Sequence, residues 1–287
     1  MNLKKIVVIG AGTMGSVIAQ WFAQQMCFVE LVDNSEDQLK KALAEIHKSW
    51  DKLVEKEKLT NSQVNQMKKL LEIKSLNLVS KDTDLVVEAI IENLEIKKTL
   101  FQDLDHYFTP HTIISSNTSS FPITLMSEAV SAERKKRFVG LHFFNPATIM
   151  KLVEVIKGEK TDAKLCEDLY DWFDSKDKKP ALSKDSPGFI VNRVARNFYG
   201  EPLRIVDVED EAKMREVDQI LKDVGGFKMG PFELMDLIGI DVNYSVTCSV
   251  WEAYNRESRF APHELQKKMV EENRFGRKSK RGFYKYD

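Results

Sequence analysis

The chain has 287 residues, 43% hydrophobic and 30% charged, which suits one large or two ordinary folded domains and excludes a disordered protein. Its 43 basic and 44 acidic residues nearly cancel, so no overall field favours nucleic acid or an anionic membrane. Three scattered cysteines, Cys27, Cys166 and Cys248, lack CxxC spacing and predict neither disulfides nor a metal site. Apolar runs are too short to cross a bilayer and no signal segment precedes the first strand, so we expect a cytoplasmic protein.

The N-terminal segment has the pattern of a dinucleotide-binding βαβ unit. The apolar run 6–9 predicts a buried parallel strand, and a second strand, 28–32, follows a helical pattern over 16–26. Between the first strand and the helix lies a GxGxxG loop, made of Gly10, Ala11, Gly12, Thr13, Met14 and Gly15. Its glycines permit a tight turn, close approach of a pyrophosphate and close helix packing. Asp33 ends the second strand, where a carboxylate binds ribose hydroxyls and repels a 2′-phosphate, which favours NAD over NADP.

Residues 36–72 predict a helical pair inserted into this domain, a long helix followed by a second one from about 61 to 71. Most of its charges are typical of a solvated surface, although Lys48, Lys52 and Lys56 could also contact a substrate phosphate.

Polar residues recur where the predicted strands end. Glu92 follows the apolar run 85–91, and the segment SSNTSS, which includes Asn117 and Ser119, follows a strand over 112–115. Ligands bind outside the carboxyl ends of strands in open parallel sheets. One polar loop alone is explained by helix capping, but Asp33, Glu92, Asn117 and Ser119 together indicate a ligand site.

The stretch 140–155, GLHFFNPATIMKLVEV, holds a candidate acid–base pair. Two short strands flank an Asn-Pro turn, and their connection could fold Glu154 against His142. A carboxylate that fixes the tautomer of an imidazole supports a general base near neutral pH. The alternative from this stretch alone is a buried structural histidine beside a solvated glutamate.

The composition changes after Pro187-Gly188, which predicts a domain junction, with residues 1–186 forming a Rossmann-like domain and 187–287 a helical domain. Helical patterns cover 197–212, interrupted by Pro202, and then 215–224, 232–255 and 264–275. Apolar residues exceed what a small core needs, which is compatible with either a dimer interface or a plain core.

Seven segments in this order resemble the 3-hydroxyacyl-CoA dehydrogenases, including the 3-hydroxybutyryl-CoA dehydrogenases: GAGTMG, VVEAIIENLEIK, SSNTSS, GLHFFNPATIMKLVEV, DSPGFIVNR, MGPFELMD and GFYKY. The resemblance covers nearly the whole chain. It implies an α/β Rossmann-type domain with a helical-pair insertion, an all-α C-terminal domain, NAD as cofactor and an acyl-CoA substrate. It also implies a homodimer formed through the C-terminal domain.

The resemblance assigns roles residue by residue. It implies that His142 and Glu154 are the acid–base pair and that Ser119 and Asn192 lie near the reacting oxygen. For NAD it adds further residues to the glycine loop and Asp33, namely Glu92, Lys97, Asn117, Asn145 and Lys278. For coenzyme A it points to Ser49 and Lys56, by an ungapped count through a variable region.

Three departures from the family pattern leave the acyl-chain preference open: a longer loop before His142, the lysine-rich segment 174–185, and Phe121-Pro122. Two other functions remain possible from the sequence. One is a dehydrogenase of a sugar acid or hydroxy acid without coenzyme A; the other is a non-catalytic relative of the crystallin kind. The complete set of Ser119, His142, Glu154 and Asn192 disfavours the second. A multifunctional β-oxidation protein is not expected, since no hydratase domain accompanies these segments.

Overall fold

The computed structural model describes residues 1–206 and 208–287, which divide into two compact units, Met1–Ser186 and Pro187–Asp287. Strands and helices alternate along the first unit. Its strands are β1 Lys5–Ile9, β2 Phe28–Val32, β3 Leu71–Lys74, β4 Leu85–Glu88, β5 Ile113–Ser116, β6 Phe138–Phe143, β7 Leu152–Lys157 and β8 Lys179–Lys184. Its helices are α1 Thr13–Gln24, α2 Glu36–Glu55, α3 Asn61–Lys69, α4 Leu94–Tyr107, α5 Ile123–Ser127, α6 Ala132–Lys135 and α7 Ala163–Asp174.

The strands of the first unit form one sheet in the order β3-β2-β1-β4-β5-β6-β7-β8. Every neighbouring pair is parallel except β6 and β7, which are antiparallel. The strand order reverses between β1 and β4, the switch point at which open α/β sheets bind ligands. The α/β Rossmann-type prediction is therefore confirmed, and the carboxyl ends of β1, β2, β4, β5 and β6 lie along one edge.

The predicted helical pair, α2 and α3, connects β2 to β3 and belongs to the core of the first unit. One face of α2 is buried, with Leu39, Ala42, Ile46 and Trp50 at helical spacing. Trp50 is fully buried and joins the same apolar cluster as the inner residues of β1 and β2. Full burial of one large apolar side chain contributes about 1.5–3 kcal/mol, so this face fixes the helix against the sheet.

One additional strand and two strand boundaries differ from the sequence prediction. Residues 71–74 form β3, a strand that the helical pattern over 61–71 did not indicate, because four residues carry too little periodicity. Strand β4 ends at Glu88 instead of residue 91, so Glu92 lies in the loop that follows. Strand β6 continues through Phe143, which places His142 inside a strand.

The second unit is helical, as predicted: α8 Val191–Val206, α9 Glu211–Asp223, α10 Pro231–Ile238, α11 Ile240–Ala253 and α12 Glu264–Glu271. Position 207, within the stretch 197–212 predicted to be helical, lies outside the described residues. Pro202 lies within α8 without ending it. The single helical stretch predicted over 232–255 is divided by Gly239, whose φ of 104° only glycine adopts readily.

Buried carboxylates hold the C-terminal segment against α10. Asp236 accepts hydrogen bonds from the backbone N–H groups of Phe283 and Tyr284 and from the Tyr286 hydroxyl, each at 2.9 Å. These bonds explain why the apolar residues of GFYKY are buried in the core of this unit. Among residues 1–206 and 208–287, the structure has no helix with the length and apolarity that a membrane span requires.

Candidate active site

His142 and Glu154 face each other across the antiparallel pair β6 and β7. The register places them directly opposite, so their side chains leave the same face of the sheet. His142 Nδ1 lies 2.6 Å from Glu154 Oε2. Glu154 is fully buried, whereas His142 retains 7% exposure. A carboxylate without exposure fixes the ring tautomer, while the residual exposure leaves the imidazole within reach of a small molecule.

Phe143 anchors the end of β6 next to this pair. Its ring packs within an aromatic cluster that includes Trp21 and Phe173, with ring centroids 5.9 and 5.7 Å away. Its backbone N–H donates to Oδ1 of Asn117 at 2.9 Å. Strand β6 is therefore fixed from both sides one residue beyond His142, which keeps the imidazole in place. Asn117, predicted to contact NAD, uses its carboxamide oxygen for this link.

The glycine loop has the space and the backbone shape that a dinucleotide requires. Gly10 has φ 103°, and a Cβ there would lie 2.5 Å from the Ala89 carbonyl oxygen. A Cβ on Gly15 would lie 1.7 Å from the Gly10 carbonyl oxygen, so only glycine lets α1 start this close to β1. A Cβ on Gly12 would meet no heavy atom of the described residues within 4 Å. Gly12 therefore faces the open side of the loop, at the N-terminus of α1, where a phosphate binds.

Asp33 supports the loop as well as marking the end of β2. Its Oδ2 accepts from the Ala11 N–H at 2.7 Å and its Oδ1 from the Ser35 N–H at 2.9 Å. Gln38 adds a second brace, since its Nε2 donates to the Ala11 carbonyl at 2.7 Å. The residues present thus fit NAD: a preformed loop, a helix N-terminus without a side-chain cap, and a carboxylate at the second strand end.

Glu92 connects the β4 and β5 strand ends. Its Oε1 accepts from the hydroxyls of Thr118 at 2.5 Å and Ser120 at 2.9 Å, and from the Ser119 N–H at 3.3 Å. Lys97 lies 3.1 Å from its Oε2. Burial opposes ionisation of Glu92, but the Lys97 ammonium and the two hydroxyls outweigh it and hold its pKa below the usual range. Glu92 therefore stays a carboxylate at neutral pH and holds Ser119 through the backbone.

The coenzyme A residues implied by the resemblance lie in and after α2. The Ser49 hydroxyl accepts from Gln20 Nε2 at 3.1 Å, which ties α2 to α1. Lys56 is exposed at the C-terminal end of α2, where a cation favours the helix dipole. Asn145, implied for NAD, is exposed in the turn between β6 and β7.

Two implied residues belong to the second unit. Asn192 lies in the first turn of α8. Lys278 is half exposed and lies 2.6 Å from Oδ2 of Asp241, at the start of α11. Asn192 belongs to the segment DSPGFIVNR, whereas Lys278 precedes GFYKY, and both lie in the second unit.

Lys178 is a buried residue that the sequence reasoning missed, because it lies in a lysine-rich segment that predicts solvent exposure. It is 3% exposed, and its Nζ donates to the carbonyls of Ala147 at 2.5 Å and Met150 at 2.7 Å. The ammonium also lies 4.7 Å from the Trp21 ring centroid. Lys178 thereby holds the turn that connects His142 to Glu154. Only its tertiary contacts distinguish it from the exposed residues next to it in the sequence.

Burial lowers the pKa of Lys178 from 10.5 to about 8, so its ammonium is costly to bury. Between these values the unfolded chain binds more protons than the folded one, so stability rises with pH across that window. We expect the free energy of unfolding of the wild type, measured relative to Lys178→Met, to rise from pH 7.5 to pH 10 by at most about 3 kcal/mol. Urea denaturation of both proteins measures it. A difference that is constant with pH would contradict the lowered pKa.

The sheet order and the glycine loop define a dinucleotide-binding fold, and the His142–Glu154 pair lies at the same edge of its sheet. The model of the 3-hydroxyacyl-CoA dehydrogenase NAD-binding domain matches residues 5–186, and that of the C-terminal domain of the same enzymes matches residues 188–286. The chain belongs to the 3-hydroxyacyl-CoA dehydrogenase family, and its first unit is the NAD-binding domain.

Curated relatives and solved structures support the assignment to this family. The chain is 43% identical to 3-hydroxyadipyl-CoA dehydrogenase of Escherichia coli (strain K12) over 99% of its length, and 41% identical to pig (Sus scrofa) mitochondrial hydroxyacyl-coenzyme A dehydrogenase, also over 99%. The structure of (S)-3-hydroxybutyryl-CoA dehydrogenase from Ralstonia eutropha superposes with a TM-score of 0.92 at 32% identity, with both chains fully covered.

The relatives differ in length. The chain spans 59% of the E. coli 3-hydroxyadipyl-CoA dehydrogenase and 91% of the pig enzyme. A 3-hydroxybutyryl-CoA dehydrogenase structure from E. coli K12 aligns with the whole chain at a TM-score of 0.94 and 41% identity, and 60% of that protein is covered.

Proposed function

We propose that the protein is an NAD-dependent oxidoreductase that interconverts (3S)-3-hydroxyacyl-CoA and 3-oxoacyl-CoA, with His142 and Glu154 as the acid–base pair. The observation that carries the proposal is the buried Glu154 carboxylate 2.6 Å from the Nδ1 of His142. His142 lies in β6, which neighbours β5, and Glu154 lies in β7 on the far side of β6. Ser119 follows the carboxyl end of β5 in the same sheet, which also carries the glycine loop after β1. Family membership supports the acyl-CoA class of substrate.

Bound NAD supplies the hydride acceptor at the nicotinamide ring. With Nδ1 directed to Glu154, the Nε2 of His142 takes the proton from the 3-hydroxyl group as the C3 hydride leaves. The buried Glu154 carboxylate stabilises the imidazolium that forms, because two opposite charges interact more strongly away from water. In this proposal Ser119 positions the substrate oxygen, a role that the family resemblance also gives to Asn192. In the reverse direction the protonated His142 returns the proton to the 3-oxo group.

Within the acyl-CoA class we propose substrates with a short acyl chain. Two solved relatives are named for 3-hydroxybutyryl-CoA, whereas a curated relative is named for 3-hydroxyadipyl-CoA, whose acyl chain ends in a free carboxylate. We propose 3-hydroxybutyryl-CoA and acetoacetyl-CoA as the substrate pair for this chain. The alternative substrate is a hydroxy acid without coenzyme A. A panel of thioesters and free acids distinguishes the two classes.

The test mixes the purified protein with acetoacetyl-CoA and NADH and follows the loss of NADH absorbance. Parallel reactions contain NADPH, 3-oxoadipyl-CoA or free acetoacetate. We expect rapid oxidation of NADH with acetoacetyl-CoA, and slow reaction with NADPH, because the Asp33 carboxylate repels a 2′-phosphate. Turnover of acetoacetate but not of any thioester would refute the acyl-CoA class. Faster turnover of 3-oxoadipyl-CoA would refute only the short-chain preference.

We also propose that the protein forms a homodimer through its second unit. This unit exposes large apolar side chains that its own core does not use, at positions Ile220, Val224, Phe227, Leu237, Ile238 and Val242. Exposed apolar surface of this kind marks an interaction site in many proteins. Light scattering during size-exclusion chromatography should give twice the monomer mass of 33.0 kDa. A monomer at micromolar concentration would refute the dimer.

The cytoplasm is the compartment we propose. All three cysteines are unpaired, and burial raises the pKa of both Cys27 and Cys166 to about 11, so these two thiols are unreactive. Free thiols are typical of a reducing compartment. Fractionation of cells with an antibody against the protein tests the assignment, and recovery from a membrane or secreted fraction would refute it.

A further inference from the structure

Glu88 is a fully buried carboxylate at the end of β4 to which neither the family resemblance nor the proposed chemistry gives a role. Its Oε1 accepts from the Ile90 N–H at 2.8 Å and forms a very short contact with the Lys97 ammonium. Its Oε2 accepts from the Ser116 hydroxyl at 2.5 Å. Ser116 Oγ accepts in turn from the Thr118 N–H at 3.2 Å. One carboxylate thus links the ends of β4 and β5 and the first turn of α4.

Lys97 connects Glu88 to a second carboxylate, that of Glu92. Its ammonium is 1% exposed and lies between Glu88 and Glu92. Glu92 contacts the segment 118–120 through two hydroxyls and the Ser119 N–H. The position of Ser119 therefore depends on Glu92, that of Glu92 on Lys97, and that of Lys97 on Glu88.

Because Lys97 is charged and buried, its position and that of Glu92 depend on the carboxylate of Glu88. An ammonium this deeply buried is stable only when it is paired, and removal of one partner leaves an uncompensated charge. With a carboxamide at position 88, Lys97 retains Glu92 as its one carboxylate partner among the contacts described here. Glu92 is then drawn towards Lys97 and away from the hydroxyls of the segment 118–120.

We propose that Glu88 is a positioning residue: through Lys97 and Ser116 it holds Glu92 and the segment 116–120 in the geometry that cofactor binding and hydride transfer require. The proposal rests on the proposed function for its kinetic part only. Its binding part concerns the dinucleotide alone.

The matched control is Glu30, another buried glutamate of the same sheet. It lies 2.5 Å from the Lys74 ammonium and accepts from the Ser80 N–H at 3.0 Å, but it belongs to the middle of β2. Both Glu88→Gln and Glu30→Gln remove an ion pair formed by a buried glutamate of the first unit, although Lys74 is 29% exposed and Lys97 only 1%. We expect both variants to lower the melting temperature, Glu88→Gln by more, and Glu30→Gln shows whether loss of a buried glutamate charge by itself changes the kinetics.

The two variants should differ in function. For Glu88→Gln we expect kcat with acetoacetyl-CoA to fall about 10²-fold, because a small displacement of positioned groups costs about that much. We expect the Kd for NADH, measured by fluorescence titration, to rise about tenfold, and the KM for the thioester to change less than kcat. Glu30→Gln should leave all three constants unchanged. Equal kinetic and binding constants for the two variants would overturn the proposal.

Ser116→Ala provides a second variant should Glu88→Gln fail to fold. It removes one hydroxyl from the network and leaves the ion pair, and we expect about a tenfold loss of kcat/KM. Wild-type constants in Ser116→Ala, when Glu88→Gln cannot be purified, would overturn the proposal. A wild-type protein that binds NADH but reduces no substrate would refute the proposed function, and the NADH titration of the variants would still decide the role of Glu88.

Discussion

Replacement of His142 by alanine lowers kcat by about 10²–10⁴-fold in both directions and leaves the NADH Kd unchanged, because general acid–base catalysis contributes this much. In the proposed function the imidazole takes and returns the proton, whereas the glycine loop and Asp33 bind the dinucleotide. Stopped-flow or steady-state NADH absorbance measures the rate, and fluorescence titration measures the affinity.

A control for this variant exists in the same unit. His111 also faces a carboxylate, with its Nε2 3.1 Å from Asp82 Oδ1, but both side chains are mostly exposed. His111→Ala therefore removes a histidine–carboxylate pair at the surface, and we expect wild-type kinetics from it. Near-full turnover of His142→Ala would refute the proposed base, whatever the behaviour of His111→Ala.

Glu154→Gln separates orientation of the ring from proton transfer. The carboxamide is nearly isosteric with the carboxylate but cannot neutralise an imidazolium, so this change should also lower kcat. A kcat equal to that of the wild type would limit Glu154 to a structural role.

Replacement of Gly12 by valine leaves the fold intact and lowers the affinity for NADH by roughly 10–150-fold, the range expected when one or more charge-assisted phosphate contacts are lost. Gly12 has φ −71° and ψ −170°, extended angles that valine adopts without strain, and its Cβ would meet no described atom within 4 Å. The new side chain instead occupies the space where the pyrophosphate approaches the helix N-terminus.

The neighbouring glycine gives the contrasting result. Gly15→Val places a Cβ 1.7 Å from the Gly10 carbonyl oxygen, so it should lower the melting temperature as well as the affinity. Thermal denaturation with and without NADH distinguishes the two variants. A Gly12→Val protein stabilised by NADH as strongly as the wild type would show that the dinucleotide does not approach this loop.

Much of the first unit follows from local sequence. The run 6–9, the GxGxxG and Asp33 specify a strand, a turn and a second strand end by residue type alone, because glycine conformation and a buried parallel strand are local requirements. The parallel pairing of β1 with β2 agrees with the strand–helix–strand pattern of this segment. The first 33 residues therefore predict NAD as the cofactor, and the family comparison confirms it.

The sequence also predicts His142 and Glu154 as a candidate pair, although a buried structural histidine is the alternative from that stretch alone. What places them together is the register of β6 against β7, in which each residue lies opposite the other. A shift of one residue would turn one side chain to the opposite face of the sheet. The packing of Phe143 and its bond to Asn117 hold the end of β6, and both are contacts between distant parts of the chain.

Other features were beyond sequence reasoning for the same reason. Lys178 and Lys179 are chemically alike and adjacent, yet only the first is buried, beneath a turn 28–31 residues earlier in the chain. Glu88 reads as one polar residue in an apolar strand, and its partners at positions 97 and 116 become its neighbours only when β4, β5 and α4 meet. The sequence by itself determined the fold class, the cofactor loop and the identity of the candidate residues, since these depend on local backbone and side-chain chemistry. The tertiary structure decided which charges are buried and which polar groups contact one another, because burial and partnership are set by strand register and packing.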